Sequence, residues 1–229
     1  IKSIFLLAMM RYSIDFFHKI PLTILAILWD KTILGYFAFA HKIFMIFVSI
    51  FPFLIQEVMR TRMYYNIAKL FSKEIHKMVI PMVIYCIFTS FVWGMIYWWS
   101  YFGISRFFPN YATSVITVNL LCLSLMPLGI AKICSDFLCS LSLNKTGYAL
   151  ISWLSAIGLQ VVLLVIFISN ENDILTMVPI VYLISTLTIY ILAFGAAFNV
   201  SRDWVKGVFQ MMYMLSPLCI VGLINYLMY

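Results

Sequence analysis

Seven stretches of about twenty mainly apolar residues, strung together by short charged connectors, constrain this chain more than any other feature. Backbone amides and carbonyls inside a bilayer find no water to bond, so each stretch has to close its hydrogen bonds within itself as a helix. The stretches run from Phe5 to Trp29, Leu34 to Glu57, Val79 to Trp99, Ala112 to Leu141, Tyr148 to Ser169, Leu175 to Phe198 and Val208 to Leu227. With connections this short, the expected fold is an all-α membrane protein, an up-and-down bundle of about seven transmembrane helices. Composition agrees. The 229 residues are 65% hydrophobic and 10% charged, whereas a soluble domain carries about 25% charged residues. A cytosolic enzyme, a nucleic-acid module and a disordered tail are thereby excluded. The chain opens on Ile1 rather than Met and enters an apolar run at once, which suggests a fragment or processed product. It lacks the short apolar core and small-residue cleavage site of a signal peptide.

The net charge of +7 is a topology signal, because its basic residues sit in short loops and not on one solvated face. Connectors that share one side hold Lys2, Arg11, Arg60, Arg62, Lys69, Lys73, Lys77, Lys145, Arg202 and Lys206. The opposite connectors hold Lys31 and Arg106 together with Asp30, Glu171 and Asp173. The positive-inside rule therefore places the N-terminal end of the first helix in the cytoplasm and Tyr229 outside, in a multi-pass protein of the cytoplasmic (inner) membrane. The aromatics Tyr97, Trp98, Trp99, Tyr101 and Phe102 mark the outer headgroup level. Between Arg60 and Lys77 the apolar Met63, Ile67, Leu70, Phe71 and Ile75 recur at helical spacing, with Lys69, Lys73 and Lys77 on another face. The spacing predicts a helix lying on the inner surface, where its lysines either contact anionic membrane lipids or simply set the topology.

Ionisable residues within spans are costly, about 2.5–3.5 kcal/mol each on insertion scales, and tend to line a functional path. Arg11, Asp15, His18 and Lys19 recur at i, i+4, i+7 and i+8, which places all four on one side of the first helix, just before Pro21. That side faces a cavity, or else Asp15 and Lys19 neutralise each other and Arg11 and Lys19 reach toward the inner surface. His41 and Lys42 lie in the second helix, and Ser49 and Gln56 follow Lys42 at seven-residue steps, interrupted by Pro52. The resulting polar stripe faces a lumen or a neighbouring helix. Lys132 and Asp136 in the fourth span are four apart and form a satisfied pair or a ligand site; Asn119 and Ser124 read as interhelical hydrogen-bonding residues. The histidines His18, His41 and His76 lack metal-site spacing, and Cys86, Cys122, Cys134, Cys139 and Cys219 read as free core thiols. With no catalytic constellation, no metal and no glycine-rich phosphate loop in view, the chain does not read as an enzyme. A membrane glycan polymerase would need a longer outer loop than the one from Ser100 to Tyr111.

Three passages in order carry a family resemblance. Trp29-Asp30-Lys31-Thr32-Ile33-Leu34-Gly35-Tyr36-Phe37, leading into Ala38-Phe39-Ala40-His41-Lys42, resembles the opening of the second half of polysaccharide (O-antigen) flippases of the multidrug/oligosaccharidyl-lipid/polysaccharide exporter superfamily. Phe107-Phe108-Pro109-Asn110-Tyr111-Ala112 resembles their outer-loop signature, and Ser140-Leu141-Ser142-Leu143-Asn144-Lys145-Thr146 their following inner turn. The chain departs from the family at the end of the second helix, where Arg60-Thr61-Arg62 stands in place of a Gly-Asp turn. The resemblance implies that residues 1–200 are the six-helix C-terminal lobe of a two-lobed transporter whose N-terminal lobe is missing here, and that residues 201–229 are an additional transmembrane helix. It further implies translocation of an undecaprenyl-diphosphate-linked oligosaccharide across the membrane by alternating access. Lys19, Lys42, His18, His41 and Lys132 would line a cationic cavity for the substrate, and Asp15 would couple Na+ or H+, with no other cofactor. Two other readings stand beside it: a drug or ion antiporter of the same superfamily, and a non-transporting scaffold of glycan synthesis.

Overall fold

The computed structural model describes residues 2–70, 76–139, 145–168 and 173–201, with side chains described except at residues 2, 3, 51–84, 86, 137, 168 and 198–201. The described residues are helical throughout and contain no strand. The long helices are α1 (Lys2–Leu28), α2 (Lys31–Leu70) and α3 (His76–Trp99). A π-helical turn (Ser100–Ile104), the short α4 (Ser105–Phe107) and a 3-10 turn (Pro109–Ser114) lead from α3 into α5 (Val115–Leu123). The chain then continues through α6 (Leu125–Leu138), α7 (Thr146–Ile168) and α8 (Ile174–Ser201). Among the described residues four helical segments are long and apolar enough to cross a bilayer: Lys31–Ile50, Pro109–Asp136, Thr146–Phe167 and Ile174–Ala197. This is the pattern of a helical membrane bundle. The expected seventh span, Val208 to Leu227, and the segment 201–229 as a unit lie outside the described residues, as do most of the Ser140-to-Thr146 passage and Cys219.

The α1–α2 hairpin closes at Asp30. Its carboxylate accepts from the backbone amides of Lys31 at 2.8 Å and Thr32 at 3.4 Å, an N-cap for α2. These bonds and the Thr32 hydroxyl hold the exposed Asp30 carboxyl below the usual carboxylate range. Beyond the expected end at Glu57, α2 continues without a break to Leu70. The surface helix expected from Arg60 onward therefore begins as a direct extension of α2, since no proline or glycine between Arg60 and Leu70 stops the helix.

The expected fourth span is present but broken. Pro127 has no amide to give the carbonyl of Leu123, and the chain turns at Ser124, whose N–H bonds back three residues to Leu121 at 3.0 Å. Leu128 N–H to Ser124 O, at 3.0 Å, restarts the helix as α6. This interrupted segment is the most enclosed of the four, packed by α2, α3 and α8. Irregular backbone at membrane depth is tolerated where protein surrounds it. A second proline defect is repaired from this segment: Pro179 in α8 leaves the Leu175 carbonyl without its helical donor, and the Thr117 hydroxyl supplies one at 2.7 Å.

The core lies where α8 packs on α6 and α7 and where α1 packs on α7. Trp153, Tyr182, Tyr190, Phe17, Phe37, Phe44 and Phe194 are its largest fully buried side chains. Tyr85 of α3 donates to the carbonyl of Leu125 at 2.7 Å, and its ring occupies the space left open by the missing side chain of Gly129. The Ser100-to-Tyr111 connection, expected as a loop, is built from short helical turns. There Gly103 lies under the Trp99 indole, whose Nε1 would stand 2.8 Å from an added methyl.

Candidate functional site: a polar cluster across four helices

Hairpin geometry builds the site. Lys19 lies eleven residues before Asp30 and Lys42 eleven after Lys31. At about 1.5 Å per residue both stand roughly 16 Å from the turn along their helices. His18 and His41 occupy the same height.

The expectation that Arg11, Asp15, His18 and Lys19 share one face is corrected by their burial. Arg11, Asp15 and Lys19 repeat every four residues and are exposed, while His18, one position before Lys19 and so about 100° away, is 7% exposed and turned into the bundle. The same division separates His41, 6% exposed, from Lys42, which is exposed. The cationic lining expected from both histidines and both lysines is thus two sites back to back. The exposed side carries Arg11, Asp15, Lys19 and Lys42; the buried side carries the histidines. Ser49 continues the exposed stripe of α2, its hydroxyl bonded back to Met45 O at 2.7 Å, and the side chains of Pro52, Gln56 and Glu57 lie outside the described set.

The reason for the inward turn of His18 is Tyr182 of α8, whose hydroxyl sits 2.5 Å from His18 Nδ1. The phenol can donate or accept, and the imidazole tautomer sets which. Phe17 meets the imidazole edge-on at 5.7 Å and Trp153 at 5.6 Å, and Phe44 meets Tyr182 at 5.4 Å. Trp153 is fixed in turn, because its Nε1 donates to Ser135 Oγ at 3.1 Å. His41 stacks on Phe37 at 5.9 Å and approaches Phe44 at 6.2 Å. Its buried Nε2 has no hydrogen-bond partner.

Lys132 joins this aromatic box to the exposed side. It is partly buried and interacts electrostatically with His18 on one hand, and with Asp136, Asp15 and Arg11 on the other. Expected as one half of a pair within its own helix or as a ligand site, Lys132 also feels the charge of Asp15 on α1. Asn119 bonds as expected, its Oδ1 accepting from Ser100 Oγ at 2.8 Å and its carbonyl from Trp93 Nε1 at 3.3 Å. Ser124 does not, for its buried hydroxyl has no partner. Cys122 and Cys134 are buried free thiols and Cys139 is half-buried. Among the described residues no three His, Cys, Asp or Glu side chains stand close enough to hold a metal ion.

Tyr182 was not legible as a site residue, since it falls in the apolar run Val178-Pro179-Ile180-Val181-Tyr182-Leu183-Ile184 with nothing beside it to mark it. Gln160 carried a visible signal, a lone amide in the middle of a span. It is fully buried in α7 with neither side-chain atom bonded. No protein family, curated protein or solved structure matches this chain.

Proposed function

We propose that this chain is the six-helix lobe of a flippase, followed by one further transmembrane helix. It moves an undecaprenyl-diphosphate-linked oligosaccharide from the inner to the outer leaflet of the cytoplasmic membrane. The observation that carries this reading is the pair Lys19 and Lys42, both exposed at equal distance from the turn on neighbouring antiparallel helices, which this reading sets at half-depth. Two ammonium groups facing hydrocarbon there would cost about 5–7 kcal/mol on insertion scales. A water-filled lumen removes most of that cost and turns both groups into point charges for a diphosphate. Arg11 at the inner end of the same stripe guides the anionic headgroup inward, and the lipid tail stays in the bilayer. The partner across the lumen is the other lobe of the transporter, and alternating access is the rocking of one lobe on the other. The partly buried Lys132 and the buried histidines serve the bundle interior, so the cargo site reduces to Lys19, Lys42 and Arg11.

The test is the double variant Lys19→Ala/Lys42→Ala in a glycan-exporting cell. Surface glycan is expected to fall at least about tenfold, the size of effect that losing about 1.4 kcal/mol of binding produces, while the amount of membrane-inserted protein is unchanged. Wild-type glycan at equal insertion would refute the assignment.

A further inference from the structure

α3 runs past the break at Ser124 and holds the backbone on both sides of it. Trp93 Nε1 donates to Asn119 O in α5 at 3.3 Å, and Tyr85, two turns earlier in α3, donates to Leu125 O in α6 at 2.7 Å. The other hydrogen bonds of the two halves go to different neighbours. α5 is joined to α8 by the Thr117 hydroxyl on Leu175 O, and α6 to α7 by Trp153 Nε1 on Ser135 Oγ at 3.1 Å. Leu175 lies before Pro179, so the first turn of α8 can follow α5 while the remainder stays packed on α6 and α7. Between the halves, Ser124 has φ −70° and ψ −16°, close to the dihedrals of a 3-10 turn, and Pro127 brings no amide to the Leu123 carbonyl. We propose that Ser124 is a hinge between α5 and α6, and that Tyr85 is the latch that sets its present angle.

The Ser124 hydroxyl shows where the second position lies. Ser49, Ser135, Ser152 and Ser185 each return their hydroxyl to the carbonyl four residues earlier, at 2.7–2.9 Å. Ser124 is fully buried and makes no such bond, since its turn closes on Leu121 and carries the Leu120 carbonyl away. Winding that turn to the α-helical pitch brings both the amide and the hydroxyl of Ser124 to Leu120 O and swings α5 against α6. The swing draws the Tyr85 hydroxyl off Leu125 O, and Gly129 leaves the space in which the ring moves. Each position thus makes one buried hydroxyl bond and gives up the other, which keeps the two close in free energy.

The use of the hinge rests on the flippase reading. Tyr111, just before α5, stacks on Phe39 at 4.3 Å and meets Tyr36 edge-on at 6.1 Å, so the swing carries the first turns of α2 with it. Lys42 follows Phe39 by three residues. Its separation from Lys19 on α1 then differs between the two positions, and a diphosphate held by both lysines favours one of them.

The test needs no cargo. The labels are spin probes carried on p-acetylphenylalanine at Thr113, ahead of α5, and at Lys145, whose amide is bonded to Leu138 O at the end of α6; both positions are exposed. In the full-length protein in nanodiscs, pulsed electron resonance is expected to give two distances between them. Tyr85→Phe keeps the ring and frees the latch, so it should raise the ratio of the second distance to the first roughly three- to fifteenfold, the effect of one hydrogen bond between membrane helices. Ser124→Ala loses nothing in the present position and the Leu120 bond in the other, so it should lower that ratio. A single distance in both the wild type and Tyr85→Phe overturns the proposal, and so does a ratio that the two variants leave alone or shift in the same direction. Glycan export in the lysine variants bears on the cargo site alone, so the hinge and the flippase reading fail separately.

Discussion

Replacing Gly129 by alanine tests the packing of the broken central segment, and the magnitude follows from what the added methyl meets. Built on the helix, it falls inside the Tyr85 hydroxyl and against the ring, with Cε1 2.5 Å away. Carbon atoms rest at about 3.5–4.0 Å, so ring and helix have to separate by about 1 Å or more. Overpacking of this kind costs about 1–3 kcal/mol. The displaced hydroxyl also surrenders its bond to Leu125 O, worth about 0.6–1.7 kcal/mol between membrane helices. Against this stands the helical preference for alanine over glycine, about 1 kcal/mol. Gly129→Ala should therefore destabilise the protein by about 1–3 kcal/mol. On a Tyr85→Ala background the obstacle is gone and the same change should stabilise it by about 1 kcal/mol, while Tyr85→Phe alone costs only the hydrogen bond. Reversible unfolding in mixed detergent micelles reads all four corners of the cycle. A Gly129→Ala effect of the same sign and size on both backgrounds would refute the reasoning, since nothing but the Tyr85 ring distinguishes them.

Two further outcomes are expected. Thr117→Val should lose about 0.6–1.7 kcal/mol in the same unfolding assay, because the Leu175 carbonyl left open by Pro179 loses its donor; adding Pro179→Ala, which restores an amide donor, should remove most of that loss. Asp30 supplies a pH dependence: its carboxyl is held low in the folded chain by the Thr32 hydroxyl and the two α2 amides. Its contribution is present above the unfolded value of about 3.9 and lost as pH falls through the lower folded value. Asp30→Ala should thus melt below the wild type at neutral pH and coincide with it in strong acid, and a gap that persists in acid would count against the cap.

What the sequence determined about this protein is the course of the chain along its helices. Stretches of apolar residues fix where α7 and α8 run, because a bilayer accepts no other way of closing the backbone. Asp30 marks the hairpin turn, and counting from it places Lys19 and Lys42 at equal distance along their helices. Only the tertiary structure decided which side of each helix is which. In water a buried face announces itself by being apolar, but lipid tails are as apolar as a protein core, so the signal vanishes. Trp153 is buried and Leu154 beside it exposed, and nothing in their character distinguishes them. His18 and Lys19 show the consequence. Their spacing pattern put both with Arg11 and Asp15, whereas a phenol 164 residues away took the histidine inward and left the lysine outside. The break at Ser124 follows the same rule: Pro127 was visible as a missing donor, but the packing of α2, α3 and α8 around the segment is what lets the backbone leave the helix at that depth.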